Sequence, residues 1–157
     1  MRVFLLGPGY YRDGQHRDAL HDRYRLAEHL GPHEVSIMEL ADSDAPGLTE
    51  KFTELMETAD EVVVWLPKNG KLASVFGELL LIRAKNDWHG RPIWIFAEAG
   101  VLDVTGHEFR VLDETGQMGY ILDLPKFFPV STFEYDSDAE LEKLLQAYAR
   151  GLLGLAS

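Results

Sequence analysis

The sequence predicts an α/β fold: a three-layer sandwich with helices on both faces of a five-stranded parallel sheet in the order 2-1-3-4-5. Strand-length apolar segments alternate along the 157-residue chain with segments whose apolar residues recur at helical spacing. Residues 61–66 (EVVVWL) contain an unbroken apolar run, typical of a strand buried on both faces. The length fits a single domain spanning residues 1–157, and right-handed crossovers would connect its parallel strands.

Each predicted strand is a short apolar run bounded by glycine, proline or charged residues. In chain order the strands are 1–6, 35–40, 61–66, 92–97 and 128–135. Proline has no amide hydrogen to donate to a neighbouring strand. Pro129 therefore restricts the fifth strand to a sheet edge or to a later start.

Four helices are predicted from the spacing of apolar residues. They are 17–30, an amphipathic segment from Leu48 to Met56, 72–88 and 138–153. The closing helix has Ser137 or Asp138 as its cap, and its apolar stripe comprises Leu141, Leu144, Leu145, Tyr148, Leu152 and Leu153. Residues 101–126 carry mixed signals, with a helical pattern near 112–122.

Composition excludes several classes of function. The chain has 26 acidic and 15 basic residues and a net charge of −11, which disfavours binding to nucleic acid or to an acidic membrane. It has no cysteine, so disulfides, thiolate nucleophiles and Cys-ligated metals are excluded. No apolar run reaches the length of a membrane span, so we expect a soluble, cytoplasmic protein. An acidic, lysine-poor chain fits a salt-adapted, halophilic proteome and an ordinary acidic protein equally well.

The predicted strand order is that of flavodoxin-like folds, and it indicates where a ligand would bind. In open parallel sheets, ligands lie beyond the carboxyl ends of the strands, at the point where the strand order reverses. Here that point falls between strands one and three. The loops 7–16 and 67–74 are therefore the expected site.

The first loop offers backbone amides and aromatic rings to a ligand. Gly7 and Gly9 let the chain approach a sugar or phosphate closely, and Arg12 is a candidate phosphate ligand. Tyr10 and Tyr11 are suited to stacking on a base or to hydrogen bonding a carboxylate. Neither a dinucleotide fingerprint nor a phosphate-binding P-loop is present. The alternative is that the two tyrosines only cover the sheet edge.

Glu78 is the candidate reactive group in the second region. It lies in the first two turns of the predicted helix, where Leu79 to Ile82 would surround it with apolar side chains, so burial would disfavour its charged form. Ser74, four residues earlier, shares its helix face, and Asn69 lies in the preceding loop. Both are candidates for substrate binding. The alternative is a structural carboxylate that interacts with the helix dipole.

The remaining polar residues give weaker signals. Asp60 precedes strand three and fits a turn or cap, and Asp42 and Asp44 fit either a turn or a bond to a ribose hydroxyl. The six histidines show no metal-ligand spacing, although His16 falls in the first loop. No Gly-x-Ser-x-Gly elbow occurs, and we expect neither a metal nor a cofactor.

The chain resembles the nucleoside 2-deoxyribosyltransferase-like superfamily, which neighbours the TIR-type NAD hydrolases. The resemblance is one of layout over about residues 1–97. It rests on the opening VFLLGPGYY, the Ala59-Asp60-x-Val-Val-Val entry into strand three, and Gly77-Glu78-Leu79 before the Pro92-Ile93 strand. Leu72 stands where that family usually has Asp or Ser, six residues before the glutamate. The resemblance implies that Glu78 acts at the anomeric carbon of a sugar, oriented by Tyr10 or Tyr11.

The function so implied is hydrolysis or transfer at the N-glycosidic bond of a nucleoside, nucleotide or NAD-like ligand. A second hypothesis is a non-catalytic nucleotide-binding or sensing module of the same fold. A third is a structural protein whose apolar helix 72–88 forms a homodimer interface. The expected partner is a small nucleoside or nucleotide, with no nucleic acid and no membrane.

Overall fold

Five parallel strands form the central sheet of the protein. The computed structural model describes residues 1–12, 18–38, 48–72, 75, 78, 79, 81, 82, 91–102 and 130–154. The strands are β1 (Arg2–Leu6), β2 (Glu34–Ser36), β3 (Glu61–Leu66), β4 (Ile93–Glu98) and β5 (Val130–Tyr135). Their order is β2-β1-β3-β4-β5, and every neighbouring pair is parallel. The predicted flavodoxin-like α/β fold is confirmed.

The two edge strands differ most from their predicted bounds. β2 comprises only Glu34–Ser36, against a predicted 35–40, and it pairs with β1 alone. Ile37 and Met38 lie outside any strand. β5 begins at Val130, directly after Pro129, and occupies the opposite edge. The strand therefore has both features that Pro129 predicted as alternatives, an edge position and a later start.

Helices cover both faces of the sheet. They are α1 (Asp18–Ala27), which continues as a 3₁₀ turn over Glu28–Leu30, α2 (Leu48–Thr58) and α3 (Asp138–Ala149). Val75, Glu78, Leu79, Leu81 and Ile82 are also helical and fall within the predicted helix 72–88. We call these five residues the 75–82 helix. The segment 103–129, with the helix predicted near 112–122, lies outside the described residues.

Two apolar clusters, one on each face, hold the layers together. On one face α2 and the 75–82 helix pack against alternate residues of β1, β3 and β4. On the other face α1 and α3 pack against the intervening residues, which include Trp65 and Trp94. The alternation follows from the strand period of two. The apolar run 79–82 predicts burial on all sides of this helix, but Leu81 is 39% exposed, so one side of the 75–82 helix faces outward.

α3 ends four residues earlier than predicted because of a glycine. Gly151 has φ of +71°, and its amide donates to the Tyr148 carbonyl. The Leu152 amide donates to the Ala147 carbonyl, which completes a Schellman cap. Leu152 is consequently 70% exposed, so its predicted place in the buried apolar stripe of the closing helix is wrong.

Replacing Gly151 by alanine is expected to lower the free energy of unfolding by about 1 kcal/mol. The left-handed conformation disfavours a side chain, although nothing lies within 4 Å of the added methyl group. Urea denaturation measures the effect. Gly154→Ala is the control, since Gly154 has equally open surroundings and no positive φ. Equal losses in the two variants would contradict the strain argument.

Within the described ranges, no helix has both the length and the hydropathy that crossing a membrane requires.

Candidate functional site

The two loops predicted to form the site pair with each other at the carboxyl ends of β1 and β3. Tyr11 and Gly70 form an antiparallel bridge. The Arg12 amide donates to the Asn69 carbonyl at 2.6 Å, and the Lys71 amide donates to the Tyr10 carbonyl at 3.0 Å. The strand order thus brings together the loops expected from the sequence.

Three basic residues lie in or beside these paired loops. The Arg12 Nε donates to the Gly70 carbonyl at 3.3 Å. The Lys71 ammonium lies 5.9 Å from the centre of the Tyr10 ring, within range of a cation–π interaction. The Lys68 amide donates to Glu98 Oε1, at the end of β4, at 3.3 Å. Three basic residues therefore lie in these loops at the carboxyl ends of the strands, although the chain as a whole is acidic.

Tyr11 is tied to α1 and to the core beneath the loop. Its hydroxyl donates to the Asp22 carboxylate. Its ring lies edge-on to Trp65, with centroids 6.5 Å apart. Burial and the neighbouring Asp22 carboxylate raise the pKa of Tyr11 well above its ordinary value, so the phenol stays protonated. Tyr11 therefore serves as a hydrogen-bond donor that anchors the first loop on α1.

Trp65 forms the apolar floor of this region. It is the penultimate residue of β3, and its indole Nε1 donates to the Tyr135 hydroxyl at 2.9 Å. Both side chains are buried. This bond fixes the ring on which Tyr11 lies.

Replacing Tyr135 by phenylalanine is expected to cost about 1–3 kcal/mol of folding stability, because the buried Trp65 donor loses its acceptor. Tyr148→Phe is the comparison. Tyr148 donates to Glu61 Oε1, and that oxygen still accepts a bond from Trp94 Nε1 at 2.6 Å after the substitution. Thermal denaturation of both variants should show the larger loss for Tyr135→Phe. The reverse order would be evidence against the argument.

Arg23 is a buried charge that the sequence interpretation missed. The buried stripe of α1 and its 3₁₀ extension comprises Ala19, Arg23, Leu26 and Leu30, whereas Tyr24 is 42% exposed. Arg23 is only 4% exposed, and its Nε is buried without a hydrogen-bond partner among the residues that the structure describes. A Cβ at Gly7 would lie 2.7 Å from Arg23 Cδ and 3.1 Å from the Trp65 ring. Gly7 therefore makes room for the arginine at the end of β1.

Glu78 interacts electrostatically with Arg23 from the opposite layer. Arg23 comes from the helix after β1 and Glu78 from the helix after β3, and the charge of each side chain acts on the other. Burial raises the pKa of Glu78 to about 7, although the Arg23 guanidinium acts in the opposite direction. Burial also lowers the pKa of Arg23, against the influence of Glu78.

The other predicted site residues divide by position. Gly7, Gly9, Arg12 and Asn69 lie in the paired loops. Ser74, Asp42, Asp44 and His16 lie outside the described residues. Asp60 lies at the opposite end of the strands, directly before β3, where its Oδ2 accepts a bond from the Arg2 amide at 2.8 Å, as the sequence suggested.

Among the described residues, neither a metal-binding cluster nor a groove coincides with the paired loops. No group of three or more His, Asp or Glu side chains is placed to hold a metal ion within the described ranges. A groove of about 480 Å³ lies between α1, β2 and α2. Its lining residues, which include Tyr24, Ile37 and Lys51, are not those of the paired loops.

Comparison with known proteins gives a distant structural likeness. No family model matches the chain, and no curated protein matches it. The chain is similar to a solved structure, the flavodoxin, WrbA-like protein from Agrobacterium tumefaciens. The two are 13% identical, the alignment covers 95% of this chain and 92% of that chain, and the TM-score is 0.48. The strand order and register of the sheet define the fold independently of this likeness.

Proposed function

We propose that this protein cleaves the N-glycosidic bond of a nucleoside or nucleotide, with Glu78 as the reacting carboxylate. The sugar passes either to water, which is hydrolysis, or to a second base, which is transfer. The supporting observation is that Glu78 interacts with Arg23, which lies against Gly7 at the end of β1, and that burial raises the pKa of Glu78 to about 7. Perturbed carboxylates of this kind concentrate at reactive sites. The resemblance of residues 1–97 to the nucleoside 2-deoxyribosyltransferase-like superfamily supports the same reaction.

The proposed reaction begins with attack of the Glu78 carboxylate on C1′ of the sugar. The C1′–N bond breaks, its electron pair leaves with the base, and the base takes up a proton. A glycosyl ester of Glu78 results. Attack of water on C1′ releases the sugar and restores the carboxylate, which is hydrolysis. Attack by the nitrogen of a second base gives transfer instead.

Other residues of the paired loops would hold the substrate. Backbone amides at Gly7 and Gly9 are suited to sugar or phosphate oxygens. Tyr10 offers a ring for stacking on a base. The Tyr11 hydroxyl is engaged by Asp22, so Tyr11 would order the loop while Tyr10 faces the substrate.

The test is chromatographic detection of free base after incubation with nucleosides, nucleoside monophosphates and NAD. Incubations at low and at molar salt cover both interpretations of the acidic composition. Base release that the Glu78→Gln variant loses supports the proposal. Folded protein that releases no base from any compound contradicts it.

A non-catalytic nucleotide-binding module is the second candidate, and the Tyr11 hydrogen bond favours it. In the family that the chain resembles, a first-loop tyrosine orients the glutamate, whereas here the Tyr11 hydroxyl donates to Asp22. In such a module Glu78 accepts a bond from a ribose hydroxyl. Ligand-induced thermal stabilisation without turnover identifies this candidate, because a ligand bound only by the native state raises stability.

A further inference from the structure

We propose that Arg23 anchors an oxyanion subsite at the carboxyl ends of β1 and β3, and that the ligand carries a phosphate or carboxylate group bound by this guanidinium. The ligand at the site described above would therefore be negatively charged. The location of that site rests on the proposed function. Turnover is not required for it to hold.

The burial of Arg23 is the first observation behind the subsite. Arginine is rarely buried unless it is paired, because removing a guanidinium from water is costly. Arg23 is 4% exposed on a helix face that is otherwise apolar. A position that requires only packing would be filled more stably by leucine or methionine.

The second observation is the unpartnered Nε. The Nε–H and one terminal N–H of a guanidinium form a fork that matches the two oxygens of a carboxylate or phosphate. Arg23 Nε is buried and has no hydrogen-bond partner within the described ranges of the chain. The fork therefore keeps one donor available for an oxyanion.

The surroundings of Arg23 favour an anion over a neutral group. Gly7 and Trp65 lie against its aliphatic stem, which restricts where the guanidinium can move. Glu78 and Tyr24 are the groups in the described chain that act on its charge. Because burial raises the pKa of Glu78 to about 7, this carboxylate neutralises Arg23 less fully than an ordinary glutamate would. An arriving oxyanion would therefore compete with Glu78 for the same cation.

Sulfate binding, measured by isothermal titration calorimetry at pH 8 and constant ionic strength, tests the subsite, because sulfate keeps a fixed charge. Arg23→Met should weaken binding by at least about tenfold, since it removes charge-assisted hydrogen bonds. Arg25→Met is the matched control. Arg25 lies on the same helix but is 41% exposed and pairs with Glu142 at 2.9 Å, so its loss should leave binding unchanged.

Glu78→Gln provides a second variant that does not depend on the folding of Arg23→Met. Removal of the competing carboxylate should tighten sulfate binding by at least about fivefold. Inorganic phosphate and acetate, titrated in parallel, distinguish a phosphate ligand from a carboxylate ligand. An ordinary structural arginine would give no binding of any of the three anions by the wild type. That result, or unchanged affinity in Arg23→Met or Glu78→Gln, overturns the proposal.

Failure of the subsite and failure of the proposed function give different results. Sulfate binding through Arg23 without base release retains the subsite and rejects the glycosidic reaction. Base release that depends on Glu78, without oxyanion binding, retains the reaction and rejects the subsite.

Discussion

Replacement of Glu78 by glutamine is expected to lower the rate of base release by about 100- to 10,000-fold, the range typical of a positioned acid or base. The amide has nearly the same shape as the carboxyl group but can neither attack C1′ nor exchange a proton. Substrate binding should persist, since the pairing of the two loops through Tyr11 and Gly70 does not involve Glu78. The measurement is single-turnover base release, with substrate affinity determined separately.

The matched control for this loss is Glu57→Gln. Glu57 is an exposed carboxylate on α2, so the same chemical change occurs away from the sheet mouth. Its turnover should equal that of the wild type. Equal turnover in Glu78→Gln and wild type would remove Glu78 from the reaction and leave the binding module as the better account.

The pH dependence of turnover distinguishes the roles open to Glu78. As a nucleophile it must be ionised, so kcat/KM should rise with pH up to about 7 and level off above. As a general acid it must be protonated, and kcat/KM would fall across the same range. The profile also tests whether the titrating group is Glu78, since the inflection should be absent from any residual activity of Glu78→Gln.

The strand order was predictable because it depends on local patterns. Alternating strands and helices with right-handed crossovers leave few arrangements, and β3 spans the residues predicted, Glu61–Leu66. The location of the site follows from that order. Edge-strand bounds were less predictable because an edge strand pairs on one side only, as β2 shows. Likewise, the positive φ of Gly151 shortens α3 although apolar residues continue beyond it.

Arg23 illustrates what the sequence pattern conceals. The apolar residues at helical spacing in this segment are Ala19, Leu20, Tyr24, Ala27 and Leu30. Ala19 and Leu30 are buried, but Tyr24 is exposed. The buried stripe instead passes through Arg23, at spacings of four and three from Ala19 and Leu26. The signal was available as one charged residue in register with an apolar stripe. The pattern could not show that Glu78, more than fifty residues away, interacts electrostatically with this charge.

Glu78→Gln is also expected to change the stability of the protein, in a manner that depends on pH. Burial raises the pKa of Glu78 from its ordinary 4.5 to about 7, so between these values the folded chain holds a proton that the unfolded chain has released. The contribution of Glu78 to the free energy of unfolding therefore falls as pH rises from about 4.5 to about 7 and is constant above. Glutamine does not titrate and resembles the protonated acid.

The variant should therefore unfold with nearly the wild-type free energy near pH 4.5 and be more stable at pH 8, by roughly 3 kcal/mol at most. Urea denaturation of wild type, Glu78→Gln and Glu57→Gln at intervals between pH 5 and 8.5 measures the difference. Glu57→Gln should show little pH-dependent gain, because its carboxylate is exposed. A Glu78→Gln gain that does not grow with pH would mean that the folded protein does not disfavour the charged carboxylate. A gain in stability combined with a loss of turnover is the trade-off expected of a carboxylate kept buried for its reactivity.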